Sequence, residues 1–390
     1  MCLIHAIGGA FTKQPEELNS RLSVKASDLV QRAFDDIDSV RLVDHHVHIA
    51  GLGVGGTEAF VNPKMLTWRH PFHRLKLKVY MSSAGVADED KADPQAIARL
   101  TRLVASIKGH GKHRLLAFDK HYRRDGSVNL EKTEFYVPNE YVFELAERHP
   151  ELFVPNISVN PYRPDAIAEL EKWAARGARV VKWLPNAMGI DPSDPQCDAF
   201  YEKMKQLDLI LLSHGGEEKA VEAEEDQKLG NPLLLRRALD HGVKVIVAHC
   251  AGLGTNADLD SKDRKVVDNF DLFMRLMDDK RYKELVFGEI SAMTQFNRST
   301  KLRILLARED LHDRLVNGSD YPLPAVNLLI RTRPLVKQGY INADEAGSLK
   351  EIYDYNPLLF DFVLKRTLKL PSTSKGFPAS VFLTNPSLSV

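Results

Sequence analysis

The chain has 390 residues, 44% apolar and 27% charged, with 53 basic side chains balancing 53 acidic ones. That suits a large core and leaves no basic stripe for nucleic acid or an anionic membrane, so a small-molecule substrate is the expected partner. No run approaches the roughly 20 apolar residues of a membrane span, and three widely spaced cysteines, Cys2, Cys197 and Cys250, suit a reducing, cytoplasmic compartment rather than a disulfide framework.

Residues 2 to 10 are mildly apolar but lack a basic leading region and a cleavage pattern, which makes them a poor signal peptide; the lesser alternative is the remnant of an export signal or lipid anchor. Ala26, Leu29, Val30, Ala33, Phe34 and Ile37 trace a helical stripe, so residues 1–39 are expected to form a helical arm against the outside or floor of the domain that begins at residue 40.

From residue 40 onward, short Val/Ile/Leu-rich runs alternate with longer amphipathic stretches, the mark of repeated βα units. Eight strands are predicted, at 41–49, 114–118, 153–159, 179–184, 208–213, 243–248, 285–290 and 315–319. Helix ends fall between them: Asn231-Pro232 and Gly242 bracket one helix, Pro164 and Gly177 another. The expectation is an α/β fold, a (β/α)8 TIM barrel over residues 40–370 with a C-terminal helical extension.

The stretch from Gly51 to about Gly111 is too long for an ordinary βα loop and reads as a lid, whose Trp68, Arg69, His70 and His73 are better explained by surface packing than by substrate contact. Its glycines, like Gly8-Gly9, lack the lysine-serine of a phosphate loop and are assigned to turns or lid flexibility. The tail 371–390, rich in Pro, Ser and Thr, reads as an extended arm or disordered end.

Chemistry concentrates at strand ends. In Val43-Asp44-His45-His46-Val47-His48, alternation puts His46 and His48 on one face, where they can share a divalent metal, and turns His45 away. Lys182 lies on the fourth strand; His214, His249 and Asp320 close the fifth, sixth and eighth, about one, one and two βα units apart. Imidazoles and a carboxylate suit zinc foremost, with manganese or iron as alternatives, in an open site with room for water. A divalent cation lowers the pKa of its water to roughly 7. Asp320 can then take the proton, while His249 polarises a carbonyl or binds a second metal.

Lys182 separates two versions of the site. As a carbamate it would bridge one metal held by His46, His48 and Asp320 and another held by His214 and His249. As a free amine it would leave one metal to His46, His48, His214 and Asp320 and could grip a carboxylate. Glu289 either orients a ligand histidine or pairs with a barrel cation. The acidic run from Glu217 and Glu218 to Asp226 reads as a solvated face from which one member could meet the substrate.

With Asn317-Gly318-Ser319-Asp320-Tyr321-Pro322, Ser158-Val159-Asn160-Pro161 and Asn356-Pro357 added to these residues, the chain resembles the amidohydrolase superfamily, in its amidohydrolase-related branch, from residue 40 to about 360. The resemblance implies a metal-dependent TIM barrel with His46, His48, His214 and Asp320 as ligands and His249 as a catalytic or second-metal histidine. It implies hydrolysis of an amide, lactone or ester in most members and non-oxidative decarboxylation in relatives of the aminocarboxymuconate semialdehyde decarboxylase. The lysine on strand four departs from those decarboxylases and favours hydrolysis. A catalytically silent metal-binding barrel is a third reading, which the retention of Asp320 and His249 opposes. A homodimer is compatible with all three.

Overall fold

The structure is a computed structural model that describes residues 3–9, 13–49 and 51–388. Eight parallel strands alternate with helices: β1 (Val43–His48), β2 (Lys112–Leu116), β3 (Phe153–Asn156), β4 (Val180–Trp183), β5 (Ile210–His214), β6 (Val245–Ala248), β7 (Val286–Glu289) and β8 (Leu315–Val316). They pair as one run β1-β2-β3 and another β4-β5-β6-β7-β8. Main-chain bonds join the two runs on both sides. Ile157 N donates to Val180 O (3.0 Å) and Lys182 N to Ile157 O (2.7 Å), while His45 N donates to Asn317 O (3.0 Å) and Asp320 N to His46 O (2.8 Å). Together with the parallel bridges Ile157–Val181 and Val47–Tyr321, these bonds close the eight strands into a barrel.

Alternation sorts the side chains. Leu116, Val180, Ile210, Leu212, Ile246, Ala248, Phe287 and Val316 pack together inside the barrel, while Val181, Leu211, Val245, Val247 and Leu315 belong to the outer core under the helices. The second strand begins two residues before its predicted start, because Lys112, His113 and Arg114 are polar yet in register with β1 and β3. The register of β1 slips between Asp44 and Val47, yet His46 and His48 still meet at their Nε2 atoms and His45 belongs to neither group of candidate ligands. His45 is buried beside Arg114, with Nε2 unpartnered, and burial pushes its pKa down to about 3.

The helix α1 (Val24–Phe34) is capped by the Ser23 side chain, which accepts from Ala26 N, and buries Ala26, Leu29 and Ala33. It packs on two helices beyond β8, Ala343–Tyr355 and Pro357–Thr367. The segment 51–111 is largely helical rather than a loop: α2 (Pro71–Ser83) lies over the mouth, and α3 (Ala92–Ala105) occupies the place of the first crossover helix. Its glycine turn is filled by Asp93, fully buried, which accepts from Leu52 N (2.6 Å), Gly53 N (3.2 Å) and Thr57 Oγ1 (2.5 Å). A carboxylate of the chain thus takes the N–H groups a phosphate would need.

In residues 371–388, Leu383 bridges to Leu42, and Leu388 is buried with the apolar side chains inside the barrel. Among the described residues no helix is long and apolar enough to cross a membrane.

Candidate metal centre

β1 and β8 are stitched together where their polar side chains emerge, which brings His46, His48 and Asp320 into one cluster. His46 Nε2 is 3.1 Å from His48 Nε2 and 3.5 Å from Asp320 Oδ1, and His48 Nε2 is 3.4 Å from the same oxygen. Donors around a zinc-sized ion, at bonds of about 2.0–2.1 Å, stand roughly 3.3 Å apart in a tetrahedron, so this triangle fits a divalent cation. The donor chemistry agrees, since two imidazoles and a carboxylate are ligand types that a zinc-class divalent ion takes.

The backbone is strained to make the cluster. Asp320 has φ 62°, and at the end of β6 His249, Cys250 and Ala251 have φ 55°, 48° and 48°, the left-handed region that side chains with a Cβ seldom enter. Gly318 cannot be larger, because a Cβ there would overlap the Glu289 carboxylate and the His46 side chain.

His46 is fully buried, and its Nδ1 meets Glu289 Oε2 at 2.9 Å, so Nδ1–H donates to the carboxylate and Nε2 turns a lone pair into the cluster. The same Oε2 accepts from Ser291 Oγ at 2.7 Å, and Ser291 Oγ lies 2.6 Å from His249 Nδ1. Because the serine proton is committed to Glu289, His249 donates from Nδ1 and carries its lone pair on Nε2, 3.9 Å from Asp320 Oδ2. One buried glutamate therefore sets both rings, one directly and one through a serine. Burial raises the Glu289 pKa to about 7 against the bonds from Ser291.

Lys182 Nζ is 3.3 Å from His46 Nε2 on the inner face of β4, and burial lowers its pKa to about 8. His214 lies to the side: its ring is 5.3 Å from that of His249, its Nδ1 is 3.5 Å from Glu218 Oε2, and its buried Nε2 has no partner. It joins neither group of ligand atoms lying within 4.8 Å of one another, which are His46–His48–Asp320 and His46–His249–Glu289. Burial first, then the Lys182 and Arg298 charges, bring His214 down to about 3, and burial and Arg298 lower His249. Burial lowers His46 as well, so the His46, His214 and His249 rings are neutral at pH 7, as ligation requires.

The His46, His214, His249 and Asp320 side chains are 6% exposed or less, and His48 is 30% exposed, so access is from the His48 side. Trp68 and His73 are kept apart on the lid, Trp68 exposed and His73 Nδ1 3.6 Å from Glu222 Oε2. Cys250 faces away, its Sγ donating to Glu289 O at 3.5 Å. Of the acidic run, only Glu218 turns inward, while Glu222, Glu224 and Glu225 stay exposed. Sequence reasoning missed Ser291, Arg298 and the lid's Tyr80, whose hydroxyl donates to Ala220 O at 2.6 Å beside Glu218. Ser291 alone had a signal, two residues beyond Glu289 at a strand end.

The family model described as Amidohydrolase, Amidohydro_2, matches residues 43–328. No curated protein matches the chain. Among solved structures, the chain is similar to an uncharacterised TIM-barrel protein from Bordetella bronchiseptica (14% identity, 80% of this chain and 95% of that one, TM-score 0.48). It is also similar to a 4-oxalomesaconate hydratase from Rhodopseudomonas palustris (14%, 83% and 93%, 0.43) and to the IDCase of Metarhizium anisopliae in apo form (12%, 84% and 97%, 0.43).

Proposed function

The chain belongs to the Amidohydro_2 family of amidohydrolases, and we propose that this metal-dependent hydrolase cleaves a carbonyl centre, an amide, lactone or ester, in a small molecule. The observation that carries the reading is the His46–His48–Asp320 triangle with edges of 3.1 to 3.5 Å, flanked by Lys182. Zinc is the metal best matched to these donors, with His46, His48 and Asp320 to hold it, Lys182 beside it, and His214 and His249 offering lone pairs at Nε2. When bound, the cation supplies Lewis acidity and makes water a stronger acid, with a pKa near 7.

The chain's own groups do the rest. Asp320 Oδ1 belongs to the triangle, which leaves Oδ2 to take the proton of the attacking water. His249 Nε2, 3.9 Å away and unprotonated, is the next acceptor and returns the proton to the leaving group. Glu289 and Ser291 hold that tautomer, and the lid keeps bulk water from the buried side of the site. Lys182 stabilises negative charge as it develops on the carbonyl oxygen.

The test is turnover of a panel of small amides, lactones and esters by the metal-loaded protein, with product analysis. The reading expects acid or amine release, abolished in Asp320→Asn at unchanged circular dichroism. Carbon dioxide as the product would replace hydrolysis with decarboxylation, and full activity in Asp320→Asn would remove the proposed base.

A further inference from the structure

Arg298 stands in the loop after β7 with 8% of its surface exposed. Its Nη1 donates to Gln295 Oε1 at 3.1 Å, its Nε is buried without a hydrogen-bond partner, and no carboxylate comes within 4.0 Å of the guanidinium among the described residues. An arginine cannot shed its proton, so a buried guanidinium without a counter-ion is destabilising until an anion reaches it. Other arginines drawn inside have that anion in the chain: Arg74 Nη2 meets Glu89 Oε2 at 2.9 Å and Arg163 Nη1 meets Asp119 Oδ2 at 3.2 Å. Arg114 also lacks a carboxylate, but its charge falls on His45 rather than on the cluster.

The Arg298 charge falls on the site itself. It is the largest influence after burial in keeping His249 neutral, it acts on His214 behind Lys182, and Asp320 is the acidic group it feels most. Glu218 is near but occupied: its Oε1 accepts from Ala220 N and from Val221 N (3.0 Å), and its Oε2 faces His214. Neither Nε nor Nη2 has a hydrogen-bond partner among the described residues, and their two parallel N–H groups match a carboxylate.

We propose that Arg298 receives a carboxylate of the substrate through its Nε–Nη2 edge, so that the substrate is a small molecule carrying a free carboxylate in addition to the group that is cleaved. The inference deepens the hydrolase reading and rests on it for the cleaved group, whereas recognition of the anion needs no turnover.

Succinate is the probe, titrated calorimetrically into metal-loaded and chelator-stripped protein. The expected result is binding to both forms of the wild type, weakened at least about tenfold in Arg298→Met with the metal content unchanged. Arg298→Lys keeps the charge and loses the fork; it weakens succinate by a smaller factor and covers the case in which the methionine variant does not fold. Ligand-free Arg298→Met melts at or above the wild-type temperature, because an unpaired buried charge has been removed. Equal succinate affinity in wild type and both variants, or no binding to the wild type, overturns the proposal, as does inorganic phosphate binding more tightly than succinate. Succinate binding as expected with no amide, lactone or ester turned over would leave the anion site standing and remove the hydrolase reading alone.

Discussion

Oε2 of Glu289 is 2.9 Å from Nδ1 of His46, with both side chains fully buried, and that contact fixes which nitrogen the histidine offers to a metal. Glu289→Gln keeps the shape and loses the charge. The expected outcome is a folded protein with roughly 10- to 100-fold weaker metal affinity, measured by competition with a chromogenic chelator.

Ser291 links the same carboxylate to His249, at 2.7 Å and 2.6 Å. Ser291→Ala frees the ring without touching the His46–His48–Asp320 triangle. Metal affinity should therefore hold within about twofold while kcat falls by about tenfold or more and KM stays unchanged. A parallel loss of metal would show that Ser291 supports the cluster as a whole.

Acid stability depends on buried neutral histidines. His113 on β2 is held down to about 4 by burial, opposed by Asp44, and its Nδ1 has no partner. The unfolded chain binds a proton at His113 below about pH 6.5 and the folded protein refuses it until about 4, so the unfolded state holds more protons in that window and stability falls as pH drops. Each such group contributes at most about 1.4 kcal/mol per pH unit. Urea unfolding between pH 4.5 and 7.5 should show His113→Gln with a shallower acid limb than wild type; identical limbs would place the proton uptake elsewhere.

Behind β8, Lys365 Nζ meets Asp361 Oδ2 at 2.5 Å and donates to Gly318 O at 2.6 Å, two residues before Asp320. Both side chains are buried. Removing one partner leaves a buried charge, so Lys365→Met should cost roughly 3–5 kcal/mol in urea unfolding, and Lys365→Met combined with Asp361→Leu should recover most of it. Additive losses would mean the pair does not act as a unit.

The eight strands could be read because each is a short apolar run bounded by helix-stop chemistry, and His46, His48, His249 and Asp320 could be found because local alternation and strand ends announce them. What escaped depends on distant contacts. α3 hid inside a segment read as loop, since its stripe faces the barrel through Leu100, Leu103 and Val104 rather than a run visible beside a turn. The slip in β1 escaped as well, because no residue type marks such a slip. Leu388 lies at the end of a polar tail, where one leucine gives no sign that it fills the barrel floor. Arg298 was invisible because an unpaired buried charge is a statement about what is missing around it, which only the folded chain reveals.

The metal centre itself is tested by the metal content of purified wild type against His46→Ala combined with His48→Ala, by elemental analysis after exhaustive dialysis. At least about one divalent ion per chain is expected in the wild type and its loss in the double variant, with the far-ultraviolet circular dichroism retained. Equal metal in both proteins would refute the assignment, because the cation would then be held somewhere other than by His46, His48 and Asp320.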